Sequence, residues 1–149
     1  MFRHLLIATD GSASSQQGAV KAIELAKSLS ARVTAITVSQ PFPVFATDAV
    51  IVEDTSTLYD KECARKAEKS LGAVEKAAAA AGVQYAGRHA IDERPFAAII
   101  DAAKNAGCDA ICMASHGHRG MTGLMLGSET VKVLSHSPVP VVVWRNAAS

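Results

Sequence analysis

The sequence contains few aromatic residues, almost no net charge and no long apolar segment. Aromatic residues make up 5% of the 149 residues, which leaves no platform for stacking nucleic-acid bases. The formal net charge of +1 gives no electrostatic reason to expect a nucleic acid or an anionic membrane as partner. The apolar run from Leu5 to Ala8 is too short for a signal peptide, and no run approaches the roughly 18 residues of a membrane span. We therefore expect a cytoplasmic protein with neither nucleic acid nor a membrane as partner.

Cysteine is also scarce. The three cysteines, Cys63, Cys108 and Cys112, are an odd number and form no CxxC pair. This pattern indicates free buried thiols in a reducing compartment, with zinc binding as a less favoured alternative.

The remaining composition is that of an ordinary globular chain, with 49% apolar and 19% charged residues. At this length we expect a single domain over residues 1–149, in which 146–149 form a disordered tail.

Strand and helix patterns alternate along the chain. Apolar, β-branched runs predict strands at 2–9, 32–38, 83–91, 109–114 and 139–144, whereas helical spacing predicts helices at 13–30, 56–81, 95–105 and 128–137. Residues 40–55 contain Pro41 and Pro43 and predict an irregular loop folded back over the domain. The alternation predicts an α/β fold, a three-layer sandwich with a five-stranded parallel sheet covered on both faces. In such sheets, ligands bind beyond the carboxyl ends of the strands, where the strand order reverses.

A glycine-rich loop follows the fourth predicted strand. It contains Gly117, Gly120, Gly123 and Gly127, and it ends at Ser128, which we predict to be the N-cap of the last helix. A strand, a glycine-rich loop and a helix N-terminus together form a site at which backbone amides can hold a phosphate. The alternative is a flexible connector, which the position at the carboxyl end of the sheet makes less favoured.

Three features of the sequence are informative together: the opening Leu-Leu-Ile-Ala-Thr-Asp-Gly-Ser, the glycine loop, and the ending Ser-Pro-Val-Pro-Val-Val-Val. With these features the chain resembles the universal stress protein family over nearly all of its length. The family's nucleotide signature is Gly, two residues, Gly, nine residues, then Gly followed by Ser or Thr. Ala114, Gly117, Gly127 and Ser128 match this spacing, with alanine in place of the first glycine.

The resemblance implies a Rossmann-like sheet of the adenine nucleotide alpha hydrolase type, with strand order 3-2-1-4-5. It also implies ATP, ADP or AMP as ligand, with Mg²⁺ or Mn²⁺ held mainly by the phosphates and not by protein side chains. The residues it assigns to the nucleotide are Ala8, Thr9, Asp10, Val38, Met113, Ala114, Ser115, His116, Gly117, His118, Arg119, Gly127, Ser128, Glu129 and Thr130.

Several of these residues also have structural interpretations. Asp10 could cap the following helix or shape an Asp-Gly turn, and His116 and His118 could be ordinary polar loop residues without a metal or catalytic role. Because a carboxylate aimed at phosphate would repel it, we expect Glu129 to point to solvent. The methyl group of Ala114 reduces affinity only if the nucleotide must approach the backbone closely there.

The leading hypothesis is a stress-response module that binds a nucleotide and is not an enzyme. The sequence lacks the GxxxxGK[ST] motif and an acidic pair to hold magnesium, which argues against efficient phosphoryl transfer. One alternative is the same fold acting through protein partners without nucleotide. The second is an enzyme, either a slow ATPase, for which Asp10 is the only obvious acid at the site, or a nucleotidyltransferase-like enzyme, which the His-Gly-His string suggests. The apolar segment from Val139 to Trp144 would form a sheet edge, and the resemblance implies a homodimer paired through it.

Overall fold

Five strands and four helices alternate in the computed structural model, which describes residues 1–42, 49–116 and 126–145, with the backbone alone for 49–54. In chain order they are β1 (His4–Ala8), α1 (Ala13–Leu29), β2 (Arg32–Ser39), α2 (Ala49–Ala81), β3 (Tyr85–Ile91), α3 (Pro95–Ala106), β4 (Ala110–Ala114), α4 (Ser128–His136) and β5 (Val141–Trp144). The predicted tail at 146–149 lies outside the described residues.

All five strands are parallel and lie in the order β3-β2-β1-β4-β5, which confirms the predicted fold class and strand order. Strand β1 is central and fully buried, and Leu5 pairs with Val33 of β2 on one side and Ala110 of β4 on the other. The chain moves outward from β1 in one direction through β2 and β3, and in the other through β4 and β5. The strand order therefore reverses beside β1, which is where a parallel sheet of this kind binds ligands.

The two faces of the sheet carry separate hydrophobic clusters, because successive side chains of a strand point to opposite faces. Leu5 and Ile7 of β1 pack with residues of α1 and α2, whereas Leu6 and Ala8 pack with residues of α3 and α4. This double-sided burial explains the continuous apolar runs of the central strands. No helix among the described residues is long and apolar enough to span a bilayer.

Helix α2 begins earlier than predicted. It starts at Ala49, so the prediction of an irregular loop is wrong for residues 49–55; residues 43–48 lie outside the described part of the chain. Since adding a residue to an existing helix costs far less than nucleating one, the stable later turns extend into this segment. Gln40 and Phe42, which follow β2, contact α2: the Tyr59 hydroxyl donates to the Gln40 carbonyl at 2.8 Å, and the Tyr59 ring packs edge-on against Phe42.

All three cysteines are free thiols. Cys108 and Cys112 are buried in the sheet layers, as predicted, whereas Cys63 on α2 is partly exposed. Burial raises the pKa of Cys108 to about 11 and that of Cys112 to about 12. The described residues contain no group of three or more His, Cys, Asp or Glu side chains that could hold a metal ion, so they provide no zinc site.

Candidate functional site

A cavity of about 440 Å³ opens at the carboxyl ends of β1, β2 and β4, beside the first turn of α4. This volume lies within the usual range for small-molecule sites. Of the residues predicted from sequence, those lining the cavity are Ala8, Thr9, Asp10, Val38, Met113, Ala114, His116, Gly127, Ser128, Glu129 and Thr130.

The other predicted residues fall into two groups: one is described but does not line the cavity, and three lie outside the described residues. Ser115 is buried beside it, and its carbonyl and hydroxyl bond neighbouring residues. Gly117, His118 and Arg119 lie outside the described residues, as do the loop glycines 120 and 123.

The cavity also has walls that the sequence reasoning missed. Ile36 precedes Val38 by two positions on β2 and so shares its face, a signal that strand alternation could have supplied. Pro95 and Ile99 are four positions apart on α3 and share one helix face, but nothing local places that face at the site. The missed lining residues are Ser15, Ile36, Gln40, Pro95 and Ile99.

Strand β1 leads into a tightly bonded turn at the edge of the cavity. Oδ1 of Asp10 accepts hydrogen bonds from the Ser12 amide at 3.0 Å and the Ser15 hydroxyl at 2.9 Å. Ser12, and not Asp10, is the N-cap of α1, because its side chain accepts from the Ser15 amide. Gly11 has φ +82°, and a side chain there would collide with Ser70 of α2. Asp10 therefore shapes the turn while also lining the cavity.

Beside this turn, strand β2 extends past the end of β1. Ala8 is the last residue of β1 and pairs with Ile36, whereas β2 continues to Ser39. Val38 therefore lies beyond the end of β1 and provides an apolar wall of the cavity, next to Ala8 and Met113.

The first turn of α4 approaches the end of β4 very closely. The Gly127 amide donates to the Ser115 carbonyl at 2.7 Å, and a Cβ on Gly127 would lie 3.1 Å from that oxygen. The helix begins at Ser128 with Gly127 as N-cap, so the prediction of Ser128 as N-cap is wrong. Glycine favours this close approach, because a Cβ at this position would force the two backbones apart by a few tenths of an ångström; no side chain caps the helix.

This close approach determines which donors of α4 can face a ligand. The Thr130 hydroxyl donates to the Ala114 carbonyl at 3.1 Å, so it bonds β4, as the Gly127 amide does. The first backbone bond of α4 runs from the Val131 amide to the Gly127 carbonyl. The amides of Ser128, Glu129 and Thr130 precede that bond and belong to the first turn, where helical amides lack intrahelical acceptors.

His116 leaves β4 beside this helix end. Its Nδ1 lies 3.1 Å from the Ser115 hydroxyl oxygen. Its Nε2 is buried and has no hydrogen-bond partner within the described part of the chain. Since buried polar atoms nearly always have a partner and His116 lines the cavity, this nitrogen is a candidate to bind a ligand atom.

Glu129 does not simply point to solvent as expected. Its Oε2 accepts a hydrogen bond from the Phe96 amide of α3 at 2.9 Å, and its Oε1 lies 3.4 Å from Nζ of Lys132. The carboxylate of a cavity-lining residue is therefore bound to the N-terminus of the neighbouring helix.

Comparison with known proteins gives the family. The model of the universal stress protein family matches residues 1–145. The chain belongs to this family. Universal stress protein YxiE of Bacillus subtilis is 32% identical over 149 residues, an alignment that covers 97% of this chain and all of the relative.

Solved structures show the same universal stress protein fold. The hypothetical protein MJ0577 superposes with a TM-score of 0.83 at 24% identity, covering 100% of this chain and 99% of the other. A universal stress protein from Archaeoglobus fulgidus in complex with dAMP gives 0.59 at 18% identity, covering 96% and 97% of the two chains. A universal stress protein in complex with cAMP gives 0.68 at 20% identity and covers 99% of each chain.

The one departure from the universal stress protein signature, alanine at position 114, is accommodated by packing against α1. A Cβ built on Gly18 of α1 would lie 3.4 Å from the Cβ of Ala114, and Ala114 is 7% exposed. The methyl group of Ala114 therefore packs towards α1. Because strand side chains alternate, Met113 points to the opposite face, where it joins the α3 and α4 cluster.

Proposed function

We propose that this universal stress protein binds an adenine nucleotide, ATP or AMP, in the cavity and acts as a stress-response binding module. The observation that carries the proposal is the position of the α4 N-terminus, whose first turn lines a cavity at the carboxyl ends of parallel strands. The positive end of the helix dipole and the amides of the first turn favour a bound phosphate.

In this proposal the phosphates bind the amides of Ser128, Glu129 and Thr130, with the Ser128 hydroxyl and His116 Nε2 as additional donors. Thr130 contributes its amide alone, because its hydroxyl is bonded to β4. A Mg²⁺ or Mn²⁺ ion would be held mainly by the phosphates, since no metal cluster exists among the described residues.

The adenosine part occupies the strand side of the cavity. Ala8, Val38 and Met113 supply apolar walls, and the exposed Asp10 carboxylate lies at the rim beside them. The complexes of relatives with cAMP and dAMP support an adenine nucleotide as the ligand class.

The acidic side chains favour binding over catalysis. Asp10 and Glu129 are the carboxylates that line the cavity in the described part of the chain. Oδ1 of Asp10 is bonded within its turn, and Glu129 is bonded to α3 and Lys132. Because these bonds hold the two carboxylates to separate elements, we do not assign them as an acidic pair that positions magnesium for phosphoryl transfer.

We also propose that the protein is a cytoplasmic homodimer paired through the outer edge of β5. This strand ends the sheet order, and its four residues are only partly buried. An apolar edge strand is a site for pairing with another chain, and the preceding Pro140 is tolerated at such an edge.

Isothermal titration with ATP and magnesium tests the nucleotide proposal. Ser128→Pro removes one amide donor at the first position of α4, where proline is tolerated after a residue of extended conformation such as Gly127. We expect this variant to bind ATP about tenfold more weakly than the wild type, since hydrogen bonds to charged groups are the strong ones. Its affinity for adenosine should not change.

Ser128→Ala is the matched control, because it removes the hydroxyl and keeps the amide. Equal ATP affinity of the proline variant and the alanine variant would contradict the proposed phosphate site. If the wild type binds no adenine nucleotide, the proposal is wrong and the hypothesis of a partner protein without nucleotide takes its place.

A further inference from the structure

We infer that Glu129 is a positioning residue that fixes the phosphate-binding turn of α4 against the N-terminus of α3. The inference rests on the proposed nucleotide site and concerns how that site is held. Glu129 is the second residue of α4, and both α3 and α4 contribute walls to the cavity. A bond between these two helix ends therefore sets the width of the site between them.

Helix α3 lacks the usual means of capping its own N-terminus. Its N-cap residue Arg94 makes no side-chain capping bond, and Pro95 at the first position has no amide hydrogen. The amides of Ala97 and Ala98 donate to the Arg94 carbonyl. The Phe96 amide is the donor left over, and Oε2 of Glu129 accepts it at 2.9 Å. Glu129 thus caps α3 from a different helix.

The same geometry keeps a negative charge beside a phosphate site without opposing the ligand. One oxygen of Glu129 faces the positive end of α3, and the other lies 3.4 Å from Lys132 Nζ. The Lys132 ammonium also lies 5.7 Å from the centre of the Phe96 ring. The carboxylate is therefore bonded to α3 and to Lys132, and its attraction to both favours a position away from a ligand phosphate.

Three substitutions of Glu129 distinguish the effect of its hydrogen bond to Phe96 from the effect of its negative charge. Glu129→Gln keeps an oxygen that can accept from the Phe96 amide and removes the charge. Glu129→Asp keeps the charge but is one methylene too short to make the same bond. Glu129→Ala removes both. Lys132→Ala is the matched control, because it removes the exposed ion pair and leaves the Phe96 bond intact.

The measurements are the ATP dissociation constant and the hydrogen-exchange rate of the Phe96 amide. If Glu129 positions the turn, the alanine and aspartate variants bind ATP about tenfold more weakly, and their Phe96 amide exchanges faster. The glutamine and Lys132→Ala variants bind within about threefold of the wild type and keep the amide protected. Wild-type affinity in Glu129→Gln would show that the hydrogen bond to the Phe96 amide, and not the negative charge, is what the site requires.

Other outcomes overturn the inference. ATP affinity of the alanine and aspartate variants equal to that of the wild type would show that the bond does not position the site. Tighter binding by both glutamine and alanine would show that the carboxylate only repels phosphate. If Glu129→Ala does not fold, the comparison of Glu129→Asp with Glu129→Gln still shows whether the hydrogen bond to Phe96 positions the turn. If the wild type does not bind ATP, both the proposed function and this inference are wrong. That result is distinguishable from equal affinities of wild type and variants, which contradicts the inference alone.

Discussion

Replacing Ala114 with glycine restores the universal stress protein nucleotide signature, yet we expect it to leave ATP affinity unchanged. The methyl group lies against Gly18 of α1, on the face of the sheet opposite Met113 and the α3 and α4 cluster. Removing it therefore does not widen the approach of a ligand to the α4 turn. The predicted change in the dissociation constant for ATP is less than about twofold, or about 0.4 kcal/mol.

The effect should instead appear in stability. Ala114 is 7% exposed, so the variant loses the burial of one methyl group, about 0.8 kcal/mol. Glycine within a strand costs roughly a further 0.5–1 kcal/mol in conformational entropy. The sum of about 1.5 kcal/mol corresponds to a decrease in Tm of about 3–6 °C for a protein of roughly this size.

A double variant supplies the matched control. Gly18→Ala combined with Ala114→Gly moves the methyl from the strand to the helix, because a Cβ built on Gly18 would lie 3.4 Å from the present Cβ of Ala114 and so enter the same space. Since alanine is favoured over glycine in a helix interior by about 1 kcal/mol, most of the lost stability should return. Urea unfolding monitored by circular dichroism measures the stability, and isothermal titration measures the affinity.

Two results would refute this reasoning. A gain in ATP affinity of about tenfold or more in Ala114→Gly would place the methyl in the path of the nucleotide. Failure of the double variant to recover stability would show that Gly18 and Ala114 do not share one packing site.

Two further predictions concern titratable groups away from the cavity. Burial and the Arg32 guanidinium lower the pKa of His4 below its ordinary value of 6.5. The unfolded chain therefore binds more protons than the folded one, so the free energy of unfolding should fall as the pH drops below about 6.5. In urea titrations, His4→Gln should make the free energy of unfolding less dependent on pH in this range. An unchanged pH dependence in the variant would contradict the prediction. The raised pKa values of Cys108 and Cys112 predict that a thiol reagent at about pH 8 modifies Cys63 alone in the folded protein and all three thiols after unfolding. Rapid modification of a second thiol in the folded state would be the contrary result.

The order of elements could be predicted because burial dictates the sequence pattern directly. Each central strand is covered on both faces and is therefore a continuous apolar run, as all five buried residues of β1 show. The start of α2 could not be predicted in this way. Residues 50–52 are Val-Ile-Val, and Thr55 and Ser56 follow, all with low helix propensity. The helix extends into these residues from its stable later turns, and no local sequence pattern indicates this extension.

The same distinction applies to the candidate site. The family resemblance assigns residues at strand ends, such as Ala8, Val38 and Met113, to the site, and they line one cavity because parallel strands present their carboxyl ends at one edge. The bonds of Glu129 and Thr130 could not be predicted, since their partners lie 33 and 16 positions away along the chain. Packing of α3 against α4 decides them, and that packing leaves no local trace in the sequence.

The central position of β1 limits the order in which the sheet can assemble while the chain is being synthesised. Strand β1 pairs with β2, which follows it closely in the chain, but its other partner is β4, and Asp109 beside that strand accepts a hydrogen bond from the His4 amide across 105 positions. A nascent chain therefore carries β1 with one open edge until β4, about 105 positions later, has left the ribosome. The cavity borders both β1 and α4, so it forms only once α4 has packed beside the end of β4. A ligand that binds there stabilises by mass action the states in which α4 is in place, and it adds nothing to any shorter intermediate.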